Sequence, residues 1–385
     1  EATGSPGPPV GLVVVSGDAQ SSRAGGQVQQ PLSVRVADGF GNGVPNVPVA
    51  FSIGKGGGSL SSVATVSDVA GLAGGVTWTL GRIGGAQEVL AAATFGPSPT
   101  VARFTAQIES SFDPVVRFFG TPPTAEIEAS FTKAADRVHA LIIGDLPDVT
   151  LAQLDVGRCG VPGVTLDEVV DDVLIYATVT TIDGPGKILG SAGPCLIRSV
   201  GRLTVLGVMR FDVDDLNNLA ATGRLEPVIL HEMLHIVGVG SLWRTLNLVG
   251  GSGTSDPRYL GSLATLRCNA ASGQDVCGPS VPIENAGNSG TIEVHWREAT
   301  FDAELMTGFA EATGVDMPLS AITAASIEDY GYAVNYLATD PYQVPLAAAR
   351  IRRPLTADSE APWELLQSPV YDVTPSGWIR PLVVR

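Results

Sequence analysis

The chain has 385 residues, with 39 Asp and Glu against 23 Lys and Arg, a formal charge of −16. That balance excludes a nucleic-acid binder, whose affinity rests on Lys and Arg contacts to phosphate, while 44% apolar residues suffice for packed cores in two or three domains of ~100–200 residues each. No uncharged run reaches 18 residues, and the two longest, from Ala2 and from Gly39, are broken by Gly and Pro, so no transmembrane helix is expected.

Residues 1–9 lack the basic start and apolar core of a signal peptide and read as a polar, Pro/Gly-rich linker. From 10 to 110 short β-rich runs alternate with turn clusters. Strands are predicted over Val10–Ser16, Pro31–Ala37, Val47–Ile53, Gly74–Leu80, Glu88–Thr94 and Val101–Gln107, the spacing of a β-sandwich. This stretch holds no His or Cys and few charges, so no catalytic chemistry is expected in it. Its run DGFGNGVPNVPVAFSIGKGGGSL, from Asp38, with Trp78-Thr79-Leu80-Gly81 later, resembles bacterial immunoglobulin-like domains of the invasin and intimin type. The resemblance implies a spacer or adhesion module that could take a surface ligand.

A second regime runs from 111 to 336. Val115–Phe119 reads as a strand, and Thr124 to Ile143 carries Ile127, Phe131, Ala134/Ala135, Val138 and Leu141/Ile142 on one helical stripe. Strands follow at Val173–Ile182 and Leu203–Phe211, a mixture that indicates an α+β domain. Residues 250–290 show no sustained period and read as a long irregular insert. The segment 337–385 holds seven prolines and reads as an extended C-terminal piece, either wrapped on the domain or linking onward.

Four cysteines, 159, 195, 268 and 277, permit three connectivities. Cys268 and Cys277 bracket one polar loop, which favours nearest-neighbour pairing, Cys159–Cys195 and Cys268–Cys277; free buried thiols are the alternative. If bridged, the compartment is oxidising: secreted, cell-surface or periplasmic.

The chemistry concentrates in Leu225-Glu226-Pro227-Val228-Ile229-Leu230-His231-Glu232-Met233-Leu234-His235-Ile236-Val237-Gly238. Pro227 suits a first helical turn. His231 and His235, four apart, project from one helix face and can share a metal ion, while Glu232 can reach a water on that ion without being a ligand. Gly238 and Gly240 let the chain leave the helix by a positive-φ turn. Of the four histidines, His139 reads as structural or surface, which leaves His295 as third ligand. Glu304-Leu305-Met306-Thr307-Gly308 follows, and Met306 can floor the site with a soft apolar side chain.

HEMLHIVGVG, His295-Trp296 and the ELMTG turn together resemble the leishmanolysin family of metzincin zinc peptidases, with 56 residues between Gly238 and His295 in place of that family's long insert. Further similarity lies in Ile182-Asp183-Gly184, Leu189–Pro194, Gly207–Asp212, Leu319–Thr323 and Glu328–Tyr332. The resemblance implies one Zn²⁺ on His231, His235 and His295, Glu232 as general base, and polypeptide substrates cut internally. By the same analogy Leu203–Phe211 would line the upper edge of the cleft and pair with substrate, and Gly308 and Phe309 would line a side-chain pocket. The chain departs from the family in its few cysteines, in the absence of any segment before residue 112 resembling an inhibitory propeptide, and in Val239 after the helix glycine. A competing reading is a non-catalytic adhesion protein with a structural zinc. Such sites usually use four protein ligands, and no fourth is evident nearby.

Overall fold

The computed structural model describes residues 5–23, 25–81, 87–109, 112–272, 276–287, 290–309, 311–345, 364–367 and 369–382. The chain divides into two compact units, residues 1–111 with the short stretches 143–145 and 333–337, and the remainder.

The first unit is a β-sandwich. One sheet orders Pro9–Ser16, Leu32–Asp38 and Leu72–Val76; the other orders Gln20–Arg23, Pro99–Glu109, Gln87–Thr94, Pro48–Lys55 and Ala64–Val66. Strict alternation builds the core: Leu32, Val34 and Val36 point inward while Ser33 and Arg35 point out, and Val89, Ala91 and Phe104 answer them from the second sheet. The strand predicted over Gly74–Leu80 is two pieces. Leu72–Val76 pairs with Leu32–Arg35, whereas Trp78–Thr79 turns to pair with Ser59–Leu60. The split sends Trp78 into the core, fully buried. Gln20–Arg23, a polar run without alternation, joins by parallel pairing to Ala106–Glu109, which only the neighbouring strand could specify.

The second unit is α+β. Its central sheet comprises β1 (Pro114–Phe118), β2 (Val173–Thr180), β3 (Gly190–Arg198), β4 (Thr204–Asp212), β5 (Glu364–Leu366), β6 (Tyr371–Val373) and β7 (Ile379–Pro381), in the order β1-β2-β4-β3-β6-β7, with β5 also on β3. The run β1-β2-β4 is parallel, and β3 returns antiparallel to β4. Nearly every residue of β2, β3 and β4 is buried, the signature of a sheet covered on both faces. Helix α1 (Ala125–Leu141) starts at Thr124, whose hydroxyl accepts from Ile127 N, and buries the expected stripe of Ile127, Phe131, Ala134, Val138 and Leu141. Phe131 packs edge-on to Phe118 and Phe211, fastening α1 to the sheet.

The unit's other longer helices are α2 (Val213–Ala221), α3 (Leu225–Val237), α4 (Ser262–Ser272) and α5 (Ala321–Asp329), and a hairpin of Val149–Asp155 with Thr165–Val170 lies outside the central sheet. The insert expected to be irregular contains α4. The amide N–H groups of Leu263 and Ala264 at its start donate to the Asp329 carboxylate, so the cap comes from α5 and leaves no local sequence signature. Both disulfides lie in this unit: Cys159–Cys195 ties a 3₁₀ turn to β3, and Cys268–Cys277 ties α4 to the chain beyond it.

The C-terminal residues wrap onto the sheet. β5 and β6 both run parallel to β3 along its outer edge, and β7 continues antiparallel to β6. Leu203–Phe211 is therefore not a free edge. As β4 it is bonded to β2 on one side and β3 on the other, which corrects the expectation that it pairs with an extended substrate. Period-2 burial reveals which residues form a strand but not which strand lies outermost. No described helix is long and apolar enough to cross a membrane.

Candidate metal centre

Helix α3 is buried on almost all sides, so its sequence is apolar throughout rather than striped. Against that background His231, Glu232 and His235 are fully buried polar side chains. The carbonyls of the last turn, which have no intrahelical donor, are each met by a side chain. Thr204 Oγ1 donates to Ile236 O at 2.6 Å, Ser241 Oγ to His235 O at 2.6 Å, and Tyr332 Oη to Val237 O at 3.2 Å. This clamps α3 to β4 and fixes the direction in which both imidazoles emerge.

Beyond the helix Gly238 takes φ +133°, and Gly240 takes φ +72°. A Cβ at Gly240 would lie 2.0 Å from Val294 O. That close approach is how the helix exit meets the residue preceding His295. The returning segment is held by Glu284 N donating to His295 O and Trp296 N donating to Met306 O, both at 2.9 Å. Trp296 is buried among Trp243, Tyr259 and Phe301, with its Nε1 donating to Thr323 Oγ1 at 2.8 Å.

The three imidazoles converge. Nε2 of His235 lies 2.9 Å from Nε2 of His231 and 3.2 Å from that of His295, and the third separation is 3.3 Å. Each ring is oriented from behind by a backbone carbonyl: His231 Nδ1 on Leu305 O at 2.6 Å, His235 Nδ1 on Val239 O at 2.7 Å, and His295 Nδ1 on Thr291 O at 3.1 Å. A carbonyl only accepts, so the proton of each neutral ring sits on Nδ1 and three Nε2 lone pairs face one another. Such a cluster is repulsive without a cation. A tetrahedral ion with metal–nitrogen bonds of about 2.0–2.1 Å would place its nitrogens about 3.3–3.4 Å apart, close to the separations seen. The donor set therefore fits zinc.

Among the described residues no fourth His, Cys, Asp or Glu joins this group. Met306 is fully buried in the turn that supplies Leu305 O. Gly308 lies against the site rather than in open space: a Cβ there would be 2.5 Å from Thr291 Cγ2 and 3.4 Å from His295 Cγ. Phe309 beside it is half-buried. His139 stands apart from the triad in α1, its Nδ1 2.6 Å from Phe112 O.

Sequence reasoning missed the three carbonyls and the buried carboxyl of Glu304, which receives Met306 N at 2.6 Å. The only trace of it is an acidic residue two positions before the methionine of an otherwise apolar turn.

A buried three-histidine centre on an HExxH helix, set beside a mixed sheet, defines a metallopeptidase type of site. The family model for leishmanolysin peptidases matches residues 148–341, half of the chain, and the chain belongs to that family, whose members are zinc metallopeptidases. No curated protein sequence matches it. Among solved structures it is similar to the D00–D0 domain of intimin, at 23% identity and TM-score 0.21, over 26% of this chain and 46% of that one. It is also similar to a C-terminal 282-residue fragment of intimin in complex with the intimin-binding domain of the translocated intimin receptor, at 22% identity and TM-score 0.21, over 26% and 33%. A conjugative transposon lipoprotein from Bacteroides eggerthii matches at 11% identity and TM-score 0.19, over 25% and 93%. The chain thus spans less than half the length of the two intimin chains.

Proposed function

We propose that the chain is a zinc-dependent endopeptidase in which His231, His235 and His295 hold the ion and Glu232 is the general base. The observation that carries this reading is the convergence of three Nε2 atoms within 2.9–3.3 Å while every Nδ1 is held by a carbonyl. When bound, zinc supplies Lewis acidity, polarising a carbonyl and drawing the pKa of water towards ~7. Glu232, buried on α3 directly after His231, takes the proton of the attacking water and delivers it to the leaving amine. Water is the nucleophile in this reading, so no Ser or Cys nucleophile is required, and all four cysteines are bridged. Three protein ligands rather than four favour a catalytic over a structural centre. Phe309, at the lip of the turn after Met306, is our choice for a wall of the pocket next to the scissile bond, with Gly308 keeping the turn close to His295.

The test is metal analysis combined with caseinolysis by the purified chain, with and without chelator, beside Glu232→Ala. One equivalent of zinc, chelator-sensitive cleavage in the parent and none in the variant are expected. Zinc held at one equivalent by a parent that cleaves nothing would overturn the peptidase reading.

A further inference from the structure

Glu304 is fully buried, and both of its oxygens are engaged. Oε1 accepts from Ser320 N at 3.2 Å, Ser320 Oγ at 2.5 Å and Thr323 Oγ1 at 2.6 Å; Oε2 accepts from Met306 N at 2.6 Å. The direction of each bond can be worked out. Backbone amides only donate. Ser320 Oγ already accepts from Ile322 N and Thr323 N at the start of α5, so its hydrogen goes to Glu304. Thr323 Oγ1 accepts from the Trp296 indole, which only donates, so its hydrogen also goes to Glu304. Four donors on one carboxyl, each with no choice of role, define an acceptor-only position.

The turn so held, residues 304–307, carries two contacts to the metal centre. Leu305 O takes the Nδ1 of His231, and Met306 O takes the backbone N–H of Trp296, next to His295. Trp296 is held a second time through Thr323 to the same carboxyl. His231 comes from α3 and His295 from the far end of the insert, 64 residues apart. One buried side chain thus fixes, from behind, ligands from two separate parts of the chain.

We propose that Glu304 is a positioning residue of the metal centre: it sets the turn whose Leu305 carbonyl orients His231 and whose link to Trp296 seats His295. This inference rests on the zinc reading above. The amide of Glu304→Gln is isosteric, but its NH₂ must face one of the donors. With its oxygen kept on the Ser320 and Thr323 side, the NH₂ opposes Met306 N–H and the turn loses its clamp.

The measurement is the rate at which zinc leaves the folded chain for a chromogenic chelator, with the visible ligand-field spectrum of the Co²⁺-loaded chain as a signature of ligand geometry. Glu304→Gln is expected to lose zinc about 10–100-fold faster than the parent and to shift the Co²⁺ bands, as do changes to residues that orient metal ligands. Glu304→Asp, which keeps the charge, is expected to fall between. If Glu304→Gln does not fold, Thr323→Val decides, since it removes one donor from the Glu304 carboxyl together with that carboxyl's link to Trp296; a several-fold faster release is expected. Parental release with an unchanged Co²⁺ spectrum in the folded variant, or in Thr323→Val if that is the one that folds, would reduce Glu304 to ordinary packing. A parent that takes up no zinc would instead sink the zinc reading itself.

Discussion

The two units are built by the same burial rules yet differ in what they bury. Among the described residues of the sandwich, the buried polar side chains are Asp38, Ser67 and Gln87, and each serves its own strands or turns; Asp38, for instance, accepts from the N–H groups of Phe40 and Asn42. The second unit buries more of them, and gathers His231, His235 and His295 at one place, with Glu232 beside His231 on α3 and Glu304 behind the turn that orients His231. A buried ionisable group costs stability unless it is well partnered. For the three histidines and Glu304 the second unit meets that cost with carbonyls, amides and hydroxyls placed one by one, and this concentration of polar groups is what separates a candidate site from a scaffold.

The comparison can be broken most sharply by changes confined to one side of it. Glu232→Ala should reduce cleavage by at least about 10²–10⁴-fold while zinc content stays at the parental level, read by peptide hydrolysis beside metal analysis. In the sandwich, Phe104→Ala empties a fully buried core position and should cost about 3–5 kcal/mol, measured by denaturant melting, with zinc content and activity retained. Lost activity there would end the division of labour drawn between the units.

Gly240→Ala tests the opposite coupling, of backbone to site. A Cβ at φ +72° and 2.0 Å from Val294 O forces the helix exit away from the segment bearing His295. A loss of about 2 kcal/mol or more, together with faster zinc release, is expected in thermal melts and chelator assays. The smallest effect concerns Glu298, whose carboxyl is pushed up to about 8, first by burial and next by the charge of Glu311. Its folded pKa lies above the unfolded value, so its contribution to stability is fully present below about pH 4.5 and is lost as pH rises towards 8. Glu298→Gln should remove that slope and leave the variant more stable than the parent at pH 8 by about 1–3 kcal/mol, seen as diverging Tm curves between pH 5 and 8.5. Parallel curves would show that Glu298 ionises normally.

What could be read without coordinates follows from range. His231 and His235 share a face because four residues make about one helical turn, a purely local fact. The α1 stripe and the alternation of Leu32, Val34 and Val36 are equally local, and the structure has them where periodicity puts them. The helix exit at Gly238 was legible as well, because glycine is the residue that accepts φ +133° there.

Features set by distant partners were not legible. The start of α4 is capped by Asp329, so the insert read as irregular. The outer edge of β3 is covered by residues 364–366 and 371–373, and a short, Pro-flanked segment announces no partner. By itself, then, the sequence determined that an HExxH helix exists and which histidines could hold a metal with it. Tertiary structure decided how His295 arrives, which carbonyls hold each ring, and that Glu304 underlies the turn, since those contacts join residues tens of positions apart and depend on packing that no local pattern encodes.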